Sequence, residues 1–165
     1  MLWRSTGTRV RFDSEHTGPI WRILRGASRA LHRSMSKKRI LYVDDDEAML
    51  RIVAATLPGL AGVEVVTAAT GDHALSLLGS DRFDLVLLDY ELPDVDGATL
   101  CAEIRTRVGA SLPVVFLSGF EDGPERQAGL DAGANAFLPK PSPPARIAAG
   151  ITPLLRKDAI AEVLQ

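Results

Sequence analysis

Beyond residue 37 the chain alternates short apolar runs with stretches of helical spacing. Residues 39–43 (RILYV) form the first run. Residues 47–57 (EAMLRIVAATL) follow with Met49, Ile52, Val53 and Leu57 on one helical stripe, which Pro58-Gly59 should stop. Residues 63–69 (VEVVTAA) predict a second strand, and residues 72–79 (DHALSLLG) a short helix with Asp72 as its N-cap. Residues 83–89 (FDLVLLD) predict a third strand, continuously apolar from Leu85 to Leu88, as expected of a strand buried on both faces. Residues 98–108 then place Leu100, Ile104 and Val108 four apart, and residues 112–118 (LPVVFLS) predict a fourth strand. Residues 124–133 (PERQAGLDAG) make a weak helix, weakened further by Gly129, before a short fifth strand at residues 136–138 (AFL). Residues 143–157 (PPARIAAGITPLLRK) predict a last helix, started by Pro143 or Pro144 and kinked by Pro153. Five apolar strands alternating with five helices predict an α/β domain whose parallel sheet is covered on both faces. In such sheets chemistry gathers beyond the carboxyl ends of the strands.

The N-terminal part does not share this pattern. Residues 1–18 lack periodicity, and after Pro19 a short basic stretch places Trp21, Leu24, Ala27 or Ser28, and Leu31 on one side of a possible helix. Residues 1–39 hold ten Lys/Arg against two Asp/Glu, whereas residues 40–165 hold nine against nineteen, so the overall net charge of −2 hides a basic arm on an acidic body. Three readings of the arm stand open. It is disordered or lies upstream of a true start at Met35, it is a targeting or membrane-surface segment, or it is a nucleic-acid arm. The expected division is therefore a basic extension over residues 1–36, a domain over 37–156, and a short tail over 157–165.

Composition narrows the classes. With 46% hydrophobic and 24% charged residues, the chain reads as a soluble globular protein, and no apolar run approaches the ~18 residues a membrane helix needs. The single cysteine, Cys101, excludes an internal disulfide and a multi-cysteine zinc site, and points to a reducing cytoplasm. It sits beside the Leu100 stripe and reads as core. His16, His32 and His73 share no ligand spacing and read as solvent-facing.

The strand ends carry the candidate chemistry. The first strand ends in Asp44-Asp45-Asp46, the third in Asp89, the fourth in Ser118-Gly119, and the fifth runs into Pro139-Lys140-Pro141. If the first strand is central, with the third and fourth beside it, these side chains converge on one shallow pocket. Several carboxylates at one site repel and raise one another's pKa values unless a cation joins them. Oxygen donors of this kind suit Mg²⁺. Asp46 is read as the N-cap of the first helix, and Asp94 and Asp96 as shaping a turn and capping the third helix. An aspartate held beside Mg²⁺ and the Lys140 ammonium can attack phosphorus and carry an aspartyl phosphate. The Ser118 hydroxyl is placed to hydrogen-bond a phosphate oxygen, with Gly119 leaving room for it.

Four motifs in order, ILYVDDDE, DLVLLDYELPDVDG, PVVFLSG and AFLPKP, resemble the receiver domain of two-component response regulators, of the chemotaxis-regulator type. The resemblance covers residues 37–156. It implies a flavodoxin-like (βα)5 fold with strand order 2-1-3-4-5. It also implies that Asp89 is the phosphoacceptor and that Asp44 and Asp45 are the acidic pair for Mg²⁺, Asp45 being the direct ligand. The Glu91 backbone carbonyl would be a further ligand, Ser118 the switch hydroxyl, Lys140 the phosphate-binding lysine, and Lys140–Pro141 a cis peptide. The implied donor is a sensor histidine kinase or histidine phosphotransfer protein. The implied output surface is the face formed by the fourth helix, fifth strand and fifth helix, meeting an unknown downstream protein.

Several positions depart from the commoner pattern. The switch aromatic is Phe137 rather than tyrosine, Ser118 stands in place of threonine, and the Glu91 charge should slow reaction with anionic donors. Only nine residues follow Arg156, so a single-domain regulator without DNA-binding output is expected. A haloacid-dehalogenase-type aspartyl-phosphate hydrolase is the rival enzyme reading. Against it, the candidate nucleophile lies on the third strand, in Asp-Tyr-Glu rather than Asp-x-Asp. A non-phosphorylated interaction module is the third reading, disfavoured by the intact Asp, Ser and Lys set.

Overall fold

A computed structural model describes residues 37–119 and 123–163, the stretch from 157 onward as backbone only. The basic arm with its Trp21–Leu31 stripe, the start at Met35, and His16 and His32 lie outside the described residues. Among the described residues ten elements alternate along the chain. They are β1 (Arg39–Val43), α1 (Glu47–Ala61), β2 (Glu64–Ala68), α2 (Gly71–Ser80), β3 (Leu85–Asp89), α3 (Gly97–Val108), β4 (Val114–Ser118), α4 (Pro124–Asp131), β5 (Ala136–Pro139) and α5 (Pro144–Val163). The strands form one parallel sheet, as the sequence pattern predicts, in the order β2-β1-β3-β4-β5 that the resemblance implies.

Alternation along the strands sorts the core into two layers, because successive side chains point to opposite faces. Ile40, Tyr42, Leu85, Leu87, Val115 and Leu117 face Val53 and Leu57 of α1 and Ile147 and Ile151 of α5. Leu41, Val43, Val86, Leu88, Val114 and Phe116 face Leu75 of α2 and Leu100 and Ile104 of α3. All five residues of β3 and of β4 are buried, which is why those two strands read as unbroken apolar runs.

The helix ends differ from expectation at three points. Pro58 does not stop α1. It lies in the last turn, where it forfeits one N–H but still accepts a hydrogen bond from Gly62 N at 3.0 Å, and Gly62, at φ 68°, ends the helix. Thr70, not Asp72, caps α2, its Oγ1 accepting from His73 N. The last helix runs to Val163, past Arg156, with Pro153 inside it. Two residues of the predicted stripes, Ile52 and Val108, are exposed at 47% and 39%, so those apolar faces are narrower than their spacing suggests. Cys101 is fully buried and His73 exposed, as expected.

Candidate functional site

Parallel strands bring their carboxyl ends to one edge of the sheet, and the central position of β1 sets Asp44 and Asp45 beside the end of β3. There, carboxylate oxygens of Asp44, Asp45 and Asp89 lie within 4.8 Å of one another. Asp44 is fully buried, Asp89 nearly so, and Asp45 is exposed. Lys140, on the turn after β5, reaches back across the sheet edge. Its Nζ lies 2.7 Å from Asp44 Oδ2 and 2.7 Å from Asp89 Oδ2. The turn is held by the Lys140 N–H donating to Ser118 O at 2.8 Å and by Ser142 Oγ donating to Pro139 O. The Lys140–Pro141 peptide is cis.

Every lone-pair direction of Asp44 Oδ2 is spoken for. Besides Lys140, the Tyr42 hydroxyl donates to it at 2.5 Å, and the Asp46 N–H donates to Oδ1 at 3.0 Å. Burial, joined by the Asp44 carboxylate, pushes the Tyr42 phenol far above its usual range, so it stays protonated as a donor. Burial also raises Asp89, with the Lys140 hydrogen bond and charge pulling partly back. For Lys140, burial alone would favour the neutral amine, but the hydrogen bonds and charges of Asp44 and Asp89 outweigh it and raise its pKa. The ammonium is therefore a built-in counter-cation, and the repulsion between the Asp44 and Asp89 carboxylates is met by the chain itself.

The loop after Asp89 is closely constrained. Gly97 N donates to Tyr90 O at 2.6 Å, and Glu91 and Asp96 form an isolated bridge, leaving the Glu91 side chain exposed at the rim. A β-carbon on Gly97 would lie 2.8 Å from Asp89 O and 2.7 Å from Phe116 Cε1, so only glycine lets α3 start against the backbone of Asp89. Asp96 caps α3 through Thr99, as expected. Asp94 does something else. Its two oxygens accept from Gly71 N and Asp72 N, both at 2.9 Å, so it caps α2 from a distant loop. Asp46 caps α1 through Ala48 N and Met49 N.

Ser118 is buried at the end of β4 and Gly119 is exposed beyond it, with no atom within 4 Å of a β-carbon placed there. Phe137 on β5 is half-buried. It stacks on Phe116 at 5.1 Å, and the Arg126 guanidinium lies 4.7 Å from the centre of its ring. The roles of Tyr42, Gly97 and Ser142 were not foreseen. The Asp-Gly pair before a helical stripe was the available signal for Gly97. Nothing in the local sequence distinguishes Tyr42 from an ordinary strand residue.

The donor set fits a small hard cation. Three carboxylates gather beside one ammonium, Asp45 is exposed at the edge of the cluster, and every candidate ligand atom is an oxygen. Among the described residues no histidine or cysteine joins the cluster, which disfavours zinc.

Comparison with known proteins agrees with this arrangement. The family model for the response regulator receiver domain matches residues 40–152. The chain is 41% identical over 119 residues to the response regulator MprA of Mycolicibacterium vanbaalenii, covering 72% of this chain and 51% of that one. It is 37% identical over 123 residues to a probable transcriptional regulator, ycf27, of Cyanophora paradoxa, covering 74% of this chain and 50% of that one. The chain thus spans about half the length of these curated relatives. Among solved structures, a CheY-like receiver domain protein of Methanospirillum hungatei superposes with a TM-score of 0.70 at 30% identity, over 76% of this chain and 99% of that one. The BeF3-activated DrrB receiver domain superposes at 0.64 with 31% identity, over 73% of this chain and 99% of that one. With the parallel sheet, the strand order and the acidic edge in place, the chain belongs to the response regulator receiver domain family.

Proposed function

We propose that Asp89 is a phosphoacceptor, taking a phosphoryl group from a phosphohistidine on a sensor histidine kinase or histidine phosphotransfer protein. The observation that carries this reading is Lys140 Nζ, 2.7 Å from both Asp44 Oδ2 and Asp89 Oδ2, with Asp45 beside them. A Asp89 carboxylate oxygen attacks phosphorus, the donor's P–N bond breaks, and its electron pair leaves on the imidazole. Lys140 follows the phosphoryl oxygens as charge develops on them, and the Ser118 hydroxyl donates to another. Gly119 leaves the approach open. Mg²⁺, held by Asp45, Asp89 and the Glu91 backbone carbonyl with Asp44 behind them, would neutralise phosphoryl charge during transfer. The domain is then a self-phosphorylating and slowly self-dephosphorylating acceptor rather than a turnover enzyme.

Output in this reading passes through the face of α4, β5 and α5 to a downstream protein. The acidic balance of residues 40–165 is unsuited to a DNA backbone. Among the described residues no helix is long and apolar enough to cross a membrane, and the free, buried Cys101 fits a cytoplasmic setting. The hydrolase alternative needs a nucleophile at the end of β1, where Asp44 is instead enclosed by Tyr42 and Lys140. Incubation with acetyl phosphate and MgCl2, followed by intact mass, should give a single phosphoryl adduct that is absent in Asp89→Asn. Sustained release of phosphate from esters would favour the hydrolase, and no adduct with any donor would favour a plain interaction module.

A further inference from the structure

We infer that Tyr42 is a positioning residue for the acceptor site, holding Asp44 through its hydroxyl so that Lys140 is free to turn toward the phosphoryl group. This rests on the proposed Mg²⁺-dependent acceptor role and goes beyond it. Residues i and i+2 of a strand share a face, so the Tyr42 ring lies under Asp44, among Ile40, Val53, Leu57 and Leu87. Those neighbours are apolar and would accept phenylalanine equally well. A buried hydroxyl is costly unless bonded, and this one is spent on Asp44 Oδ2. The same oxygen takes Lys140 Nζ at 2.7 Å. It therefore has one donor fixed on β1 and one on a turn, with the second shared by Asp89. When Lys140 moves to a phosphoryl oxygen on Asp89, the Tyr42 donor remains, and Asp44 keeps its charge and its plane.

Without the hydroxyl, Lys140 is the only side-chain donor left to Asp44 Oδ2 among the described residues. The carboxylate then closes onto the ammonium, tightening an ion pair that both Mg²⁺ and the phosphoryl group must loosen. In the unphosphorylated full-length protein, Tyr42→Phe should weaken Mg²⁺ binding, measured by titration calorimetry with MgCl2, by about tenfold, the scale of losing an outer hydrogen bond at a metal site. It should slow adduct formation from acetyl phosphate in parallel. In an Asp44→Asn background the same substitution should change the Mg²⁺ affinity by less than about twofold, because the group it acts through is gone. Circular dichroism and the melting temperature verify that each variant is folded. A Mg²⁺ affinity in Tyr42→Phe equal to or tighter than wild type, or a loss of the same size in both backgrounds, overturns the inference and makes Tyr42 a packing residue. Wild-type protein that binds no Mg²⁺ would overturn both the inference and the reading beneath it.

Discussion

Asp94 sits in the loop after Asp89, yet its work is at the start of another helix. Both oxygens accept backbone N–H groups, from Gly71 and Asp72, which would otherwise be orphaned at the N-terminus of α2. These hydrogen bonds hold its carboxyl below the ordinary carboxylate range, and Thr99 does the same for Asp96. A depressed folded pKa stabilises the protein at pH values above the ordinary value of 3.8, and that stability is lost as pH falls through the folded value. Asp94→Ala should therefore cost about 1 kcal/mol at neutral pH, the usual cost of losing a helix cap, and Asp72→Ala less. Thermal melts between about pH 5 and pH 2 should show a shallower acid loss in Asp94→Asn than in wild type. An equal acid slope would remove the long-range cap from the account. That Asp44, Asp45, Asp89 and Lys140 gather at one sheet edge, with Ser118 at the end of β4, was legible in the sequence, because buried parallel strands are unbroken apolar runs and whatever polar residue ends one stands out. Asp94 and Tyr42 were not. The capping partners of Asp94 lie across the sheet edge on another element, and strand parity places Tyr42 on the face of Asp44 without revealing that its hydroxyl reaches the carboxylate.

Along the elements, a row of rings leads from the end of β3 to the proposed output face. Tyr90 follows Asp89 and lies 5.7 Å from Phe116 of β4, which stacks on Phe137 of β5, which is covered by Arg126 of α4. Gly129 in α4 makes this packing possible, since a β-carbon there would lie 2.6 Å from Phe137 Cζ and 3.1 Å from Phe116 Cε2. Read along the helix alone, Gly129 is a weakness. Read across the layers, it is the notch that admits the ring. Alanine in a helix interior normally gains about 1 kcal/mol over glycine, whereas overpacking a filled site costs about 1–3 kcal/mol. Gly129→Ala should therefore lower the melting temperature or displace Phe137 outward, visible as a ring-current change at the methyl groups beside it. In a Phe137→Ala background the sign should reverse and the substitution should stabilise. Stabilisation by Gly129→Ala with Phe137 intact would mean that the ring yields at no cost. Pro58, by contrast, is explained locally: it looked like a stop but lies in the final turn of α1, where it forfeits one hydrogen bond.

Over the whole molecule, the sheet edge is a charge balance that two cations can satisfy. Lys140 already compensates Asp44 and Asp89, and the exposed Asp45 is left for an added ion. A ligand that binds only the folded state stabilises it by about 2.7 kcal/mol at roughly a hundredfold excess over its Kd, several degrees of melting temperature for a domain of this size. Asp45→Ala should abolish that rise while leaving the metal-free protein close to wild type, since Asp45 is exposed. Lys140→Met should do the opposite. Removing one partner of a buried ion pair costs about 3–5 kcal/mol, which the partial exposure of Lys140 reduces to about 1–3 kcal/mol, so the metal-free variant should melt well below wild type. Mg²⁺ would then replace the missing charge, and the rise on adding it should exceed the wild-type rise. Differential scanning calorimetry of the three proteins with EDTA and with MgCl2 measures each difference directly. A Mg²⁺ increment in Lys140→Met no larger than in wild type would mean that the lysine and the metal do not share the same carboxylates. The Mg²⁺ proposed for Asp45 and Asp89 would then leave the pairing of Lys140 with Asp44 and Asp89 undisturbed.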